Sequence, residues 1–176
     1  NKGKMSKSVV NITTIEEATK KYSGQVVRLS LLSSQYKQPL DWNNELLSEQ
    51  SKTLDKWYSM YSEDASKQTP NCFKVLLDDL NTPLYISKLH ELFQQSQNGD
   101  KDKKKEFNSA CRLIGLFNET GTERNKFKKS RIKIPKEKVL SKIKDREKAK
   151  KDGNYKLADQ IRDELNKEGI DIKDEK

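Results

Sequence analysis

Residues 4–47 read KMSKSVVNITTIEEATKKYSGQVVRLSLLSSQYKQPLDWNNELL, a basic loop feeding directly into helix signals. Lys4 and Lys7 stand three residues apart with Ser6 and Ser8 beside them. Two ammonium groups at that spacing, with hydroxyl and backbone N–H donors between them, converge on one polyphosphate. Donors held ready in such a loop stabilise charge building on a departing pyrophosphate more than they stabilise the ground state. A bare pair of lysines would read as a solvated basic tail. The residues after the loop carry a regular pattern: Thr13 and Thr14 precede Glu16 and Glu17 at capping-box spacing, which predicts a helix from Ile15 that stops before Ser23-Gly24.

Working outward, a second helix is predicted over residues 25–33, with Val26, Leu29 and Leu32 on one stripe, broadened by Val27 and Leu31. Arg28 leaves that stripe and reads equally as a solvated charge or as an RNA-backbone contact. Residues 34–41 form a loop, because Pro39 disfavours helix at Gln38. Tyr36 and Lys37 there make an aromatic-basic pair suited to RNA, although a Tyr packed over a helix end is the equal reading. Asn43 or Asn44 caps the next helix, expected to run to Tyr61 with Leu47, Leu54, Trp57, Tyr58 and Tyr61 on its buried face. The polar stretch 62–71 ends in Thr69-Pro70 and reads as a domain boundary.

A bundle is expected beyond it. Its first helix, residues 72–79, packs Phe73, Leu76 and Leu77. Its second is capped by Asn81 or Thr82 with Pro83 at the first helical position, and buries Ile86, Leu89, Leu92 and Phe93. Its third, residues 103–116, uses Phe107, Ala110, Cys111, Ile114 and Phe117. The adjacent Asp78 and Asp79 read as exposed carboxylates near a helix end. Residues 118–135 read as an unstructured basic linker carrying Arg124, Lys126, Lys128, Lys129, Arg131 and Lys133 around Phe127. A final helical hairpin is expected from residues 136–151 and 154–167 about an Asp152-Gly153 turn. In it Val139, Leu140 and Ile143 face Leu157, Ala158, Ile161 and Leu165, and a short strand is expected over Ile170–Ile172. The fold class is therefore mainly α: helices behind the loop, then a helical bundle, then a small hairpin. The corresponding domains are 1–66, 67–134 and 135–176.

Charge is unevenly spread over the 176 residues. Residues 1–100 are balanced, 155–176 are slightly acidic, and residues 101–154 carry 19 Lys and Arg against 8 Asp and Glu, more than the whole chain's net +9. That strip suits a polyanion-facing surface. Cys72 and Cys111 are the two cysteines, both in apolar helical contexts, and are expected to be buried free thiols in a reducing compartment. With His90 the single histidine, no protein metal site is expected. No apolar run reaches the roughly 18–20 residues of a membrane span, and NKGKMSKS lacks the apolar region of a signal peptide, so a cytoplasmic location with no membrane partner is expected.

Lys4-Met5-Ser6-Lys7-Ser8 is similar to the phosphate-loop signature of class I aminoacyl-tRNA synthetases. A longer likeness accompanies it. Lys20-Lys21-Tyr22, Val27-Arg28-Leu29 and Ser34-Gln35-Tyr36-Lys37-Gln38-Pro39-Leu40-Asp41-Trp42 resemble the cysteinyl-tRNA synthetases from their phosphate loop into their stem-contact region. Asp78-Asp79-Leu80-Asn81-Thr82-Pro83 resembles the entry to that family's anticodon-binding bundle. Asn154-Tyr155-Lys156-Leu157-Ala158-Asp159 and Ile161-Arg162-Asp163-Glu164-Leu165 resemble its small C-terminal domain. The chain departs from the pattern in having Val9-Val10-Asn11 after the loop, Gln35 where a His is common, and no His-Ile-Gly-His tetrapeptide. It is thus expected to be a C-terminal portion, inactive alone.

The resemblance implies a ligase that activates cysteine with ATP and Mg, forming cysteinyl-adenylate, and transfers it to tRNA(Cys). It implies Lys4 and Lys7 as catalytic residues and Lys4, Ser6, Lys7 and Ser8 as ATP-binding residues, with zinc only in the catalytic domain that this chain lacks. Arg28, Lys37, Lys150, Tyr155 and Asp159 are the expected tRNA-binding residues. The last three surround the hairpin turn and offer a cation, an aromatic face and a hydrogen-bonding edge, the capacities by which unpaired bases are read. A monomer is expected. Two alternatives stand beside this reading: a free-standing RNA-binding helical module, and a related cysteine ligase that charges a small amine.

Overall fold

Thr14 begins the first helix with reciprocal bonds. Its hydroxyl accepts from the Glu17 N–H at 3.1 Å and its N–H donates to the Glu17 carboxylate at 2.9 Å. The computed structural model describes residues 13–130, 135–167, 170 and 172. Lys4, Ser6, Lys7 and Ser8 lie outside the described residues. Eight α-helices occur in order among the described residues: α1 (Ile15–Lys21), α2 (Gly24–Leu32), α3 (Asn44–Tyr58), α4 (Thr82–Gln97), α5 (Lys101–Leu113), α6 (Gly121–Ser130), α7 (Lys136–Lys151) and α8 (Tyr155–Lys167). No described residue is in a strand, and the strand expected over Ile170–Ile172 falls partly outside the described residues.

Contacts divide the chain into Asn1–Asn118 and Glu119–Lys176. In the first unit one hydrophobic cluster runs from Ala18 to Phe117. Its centre is aromatic: Phe107 meets Trp57 at 5.8 Å, Phe93 at 5.7 Å and Phe117 at 5.8 Å. Trp57 and Phe107 are essentially inaccessible to water, and each such side chain contributes roughly 1.5–3 kcal/mol on burial. The polar stretch 62–71 runs along α5 and is zipped to it. The wholly buried Asn108 accepts from the Ser62 N–H at 2.8 Å and donates to the carbonyls of Met60 and Lys104 at 2.9 and 2.8 Å. Arg112 donates to the Ser62 carbonyl and the Ser109 hydroxyl to the Ser66 carbonyl.

Several expectations are corrected. In place of an unstructured linker over 118–135, Gly121–Ser130 is helical. Thr120 and Glu123 cap it as Thr14 and Glu17 cap α1: Thr120 N–H donates to Glu123 at 2.7 Å, and Glu123 N–H donates to the Thr120 hydroxyl at 3.2 Å. Helix α3 ends at Tyr58, not Tyr61, because its last turn tightens: Ser59, Met60 and Tyr61 donate to carbonyls three residues back. The expected helix over 72–79 is a 3-10 segment, Asn71–Leu77, with Leu77 exposed. In the hairpin Leu140 and Leu157 face outward. The seam of α7 instead runs through Val139, Ile143, Arg146 and Ala149, a three- and four-residue repeat in which Arg146 is buried.

Candidate nucleic-acid interface

The loop between α2 and α3 begins after Ser33, the C-cap of α2, and three consecutive side chains of it reach one carboxylate. Lys37 Nζ contacts the Asp79 oxygens at 2.7 and 2.9 Å. Tyr36 Oη donates to Asp79 at 2.8 Å, and Gln35 Nε2 donates to the Asp79 carboxylate at 3.2 Å and to its carbonyl at 3.3 Å. Lys37 Nζ also lies 5.2 Å from the Tyr36 ring centre. The hydrogen bonds from Lys37 and Tyr36 hold the Asp79 carboxyl below its ordinary value, and the same bond to Asp79 raises the Lys37 ammonium. On the other side of the clasp the backbone is unusual: Asp79 has φ +48° and Leu80 φ +51°, a left-handed pair without glycine that costs roughly 1–3 kcal/mol per residue.

Arg28, on the exposed side of α2, lies along the end of α5. Its guanidinium Nε is 3.1 Å from the point where a Cβ on Gly115 would sit, and Gly115 has φ +75°. Glycine takes the left-handed turn after α5 without strain and leaves room for the Arg28 guanidinium beside its backbone. Arg28 and Lys37 are thus both held by specific tertiary contacts, and their guanidinium and ammonium groups remain at the surface. Neither contact was legible locally. Asp79 lies 42 residues after Lys37, and nothing in its own neighbourhood marks it off from plain surface.

In the second unit the α7–α8 turn is set by Gly153 at φ +72°. Gly153 N–H donates to the Lys150 carbonyl at 3.2 Å and Asn154 N–H to the Ala149 carbonyl at 2.8 Å, the double closure of a Schellman turn. The Asn154 side chain then caps α8 through the Leu157 N–H. Tyr155 comes next, two-thirds exposed, with Asp159 exposed one helical turn later on the same face. Lys150 stands half-buried in the last turn of α7, across the turn from Tyr155. Arg146, missed as a seam residue, is buried in α7 one turn before Lys150.

A cleft of about 480 Å³ separates α1 from the start of α3 and is lined by Lys20, Lys21, Tyr22, Trp42 and Asn43 among others. Lys20 is paired with Glu16 at 3.1 Å. Among the described residues no group of three His, Cys, Asp or Glu side chains gathers as a metal site. No described helix is long and apolar enough to cross a membrane. Burial pushes the Cys111 thiol well up and the Cys72 thiol up, so both act as packing groups.

Residues 1–52 match the family model described as tRNA synthetases class I (C) catalytic domain. The chain is 43% identical over 173 residues to the cysteine–tRNA ligase of Pelagibacter ubique, covering 97% of this chain and 38% of that protein. It is 37% identical to that of Xanthobacter autotrophicus, covering 98% and 39%. It is 34% identical to that of Rickettsia bellii, covering 97% and 38%. The chain belongs to the cysteine–tRNA ligase family. It spans about two fifths of the length of these cysteine–tRNA ligases and matches their C-terminal portion. The family-model match takes in Lys4, Lys7, Arg28 and Lys37, whereas Asp79 and the α7–α8 turn lie beyond it. The contact with Asp79 therefore ties a loop inside the family-model match to the turn that precedes α4.

Proposed function

We propose that this chain supplies the phosphate loop and the tRNA contacts of a ligase that joins cysteine to tRNA(Cys). What supports the reading is homology to cysteine–tRNA ligases across 97% of the chain, together with the Lys4-Met5-Ser6-Lys7-Ser8 string. In the whole enzyme a cysteine carboxylate oxygen attacks the α-phosphorus of Mg-bound ATP, cysteinyl-adenylate forms and pyrophosphate leaves. A hydroxyl of the terminal ribose then attacks the carbonyl and AMP leaves. Lys7 first, and Lys4 with it, neutralise charge on the departing phosphates, with Ser6 and Ser8 adding donors.

The three parts of the chain, 1–66, 67–134 and 135–176, divide that work: loop and stem contact, anticodon bundle, and C-terminal tRNA-binding unit. Arg28 and Lys37 hold the RNA backbone. Tyr155 stacks on an anticodon base while Asp159 accepts from a base edge and Lys150 contacts a phosphate. Zinc belongs to the part of such enzymes not included in these residues. Here Cys72 and Cys111 are buried with raised thiol pKa values and His90 packs on Trp57, a donor set that does not fit the ion.

The deciding experiment is tRNA binding by the 176-residue chain. Electrophoretic retardation is expected to favour tRNA(Cys) over an unrelated duplex RNA, and Tyr155→Ala is expected to weaken the tRNA complex about tenfold, the stacking contribution of one base. Equal retention of both RNAs would overturn the assignment. In the full-length enzyme, Lys7→Ala is expected to depress cysteine-dependent pyrophosphate exchange far more than tRNA affinity.

A further inference from the structure

We propose that Gln35, Tyr36 and Lys37 form a cage for an RNA backbone phosphate, and that Asp79 occupies it as a displaceable internal anion when RNA is absent. The cage is built entirely of donors: an amide NH₂, a phenol O–H and an ammonium, at 3.2, 2.8 and 2.7 Å from the Asp79 carboxylate. A donor set that satisfies two carboxylate oxygens also satisfies the unesterified oxygens of a phosphodiester, which carry the same charge in a similar fork. The contact is open to exchange. The Lys37 and Asp79 side chains are 58% and 50% exposed, and ion pairs so placed are held weakly. Tyr36 is 63% exposed as well, so an incoming strand reaches the phenol and the ammonium from solvent.

Two further observations favour exchange over addition. Asp78 is the adjacent residue and is also exposed, so an anion settling beside an engaged Asp79 would meet two carboxylates at once. It gains the cage only by taking the place of the Asp79 carboxylate. Asp79 and Leu80 are both left-handed, at φ +48° and +51°, and strain in that turn offsets part of what the closed contact gains. The internal anion thus lowers affinity for RNA in general and yields to a strand that is already positioned by other contacts, which makes a donor-lined loop selective.

This deepens the assignment of Lys37 to tRNA binding and rests on it. The test uses the whole chain and two probes, a tRNA(Cys) transcript and an unrelated duplex RNA of equal length, titrated over a range of NaCl. Asp79→Asn is expected to tighten binding of both RNAs about three- to tenfold, with the larger gain for the unrelated duplex. Lys37→Gln is expected to weaken binding and to flatten the salt dependence by about one ion. In the double variant the gain from Asp79→Asn is expected to vanish. Melting temperature is followed in parallel, and Tyr36→Phe, which removes one donor from Asp79 and leaves the charges in place, guards against a misfolded Asp79 variant. Weaker or unchanged binding in a folded Asp79→Asn protein, while Lys37→Gln still weakens it, would overturn the exchange and leave Asp79 as a positioning residue for a genuine RNA contact. Unchanged binding in both single variants would overturn the RNA assignment of Lys37, and the cage with it.

Discussion

Asn108→Ala is expected to be the most damaging single substitution of a polar residue in the first unit. Asn108 is 0% exposed and uses three bonds, accepting from Ser62 N–H at 2.8 Å and donating to the Met60 and Lys104 carbonyls at 2.9 and 2.8 Å. Each bond contributes about 1 kcal/mol net, and leaving the half-buried Ser62 N–H without its partner adds part of a desolvation cost of roughly 1–3 kcal/mol. The Lys104 carbonyl keeps its place in α5 and counts least. The expected loss is therefore roughly 3–4 kcal/mol. At about 2.1 cal/mol/K of unfolding entropy per residue, a unit of 118 residues loses about 4 °C per kcal/mol, so its melting temperature should fall by roughly 12–16 °C.

The assay is tryptophan fluorescence during urea and thermal unfolding. Trp42 and Trp57 are the only tryptophans in the chain, and both lie in the first unit, so the signal reports that unit alone. Ser87→Ala serves as control: its hydroxyl bonds the Pro83 carbonyl at the exposed surface of α4, and its loss should stay within about 0.5 kcal/mol. A loss below about 1 kcal/mol for Asn108→Ala, no larger than for ordinary surface changes, would refute the idea that Asn108 zips residues 62–71 to α5.

Three other perturbations probe the same packing. Gly115→Ala should lower stability by about 1–2 kcal/mol, because a Cβ is added at φ +75° within 3.1 Å of Arg28 Nε; it should also shift Arg28, which is read as reduced tRNA affinity in excess of the stability loss. The Asp79 carboxyl is depressed in the folded state, first by Lys37. The stability it contributes is therefore fully present above its unfolded value near 3.8 and is lost as pH falls through the lower folded value. The melting-temperature gap between wild type and Asp79→Asn should accordingly be constant from about pH 7 to 5 and close below about pH 4. Cys111 is fully buried with a thiol pKa pushed well up, so it should resist iodoacetamide in native protein and react once urea unfolds the first unit.

Much of the helical plan was legible because its signals are local. Thr14 and Glu17, Asn43, and Asn81 with Pro83 mark helix starts by chemistry confined to one turn; the caps stand at the predicted positions, and Pro83 is the second helical residue rather than the first. The same signature at Thr120 and Glu123 is masked by the six lysines and arginines around it, which invite a reading by charge, although a capping box is indifferent to the charge beyond it. The hairpin was legible as two helices, but its seam was not: Leu140 and Leu157 are apolar and exposed, while Arg146 is charged and buried. Which three- and four-residue stripe faces inward depends on the partner helix.

The sequence by itself determined the helical class, the loop lysines, the basic strip and the kinship to cysteine–tRNA ligases, because composition, spacing and motif order are properties of the chain as written. Only the tertiary structure decided that Gln35, Tyr36 and Lys37 close on Asp79, that Arg28 lies on Gly115, and that residues 62–71 are zipped to α5 by Asn108. Each of these joins residues more than forty positions apart. No local preference encodes such a meeting, which exists only once the packed aromatic core has brought the helices together.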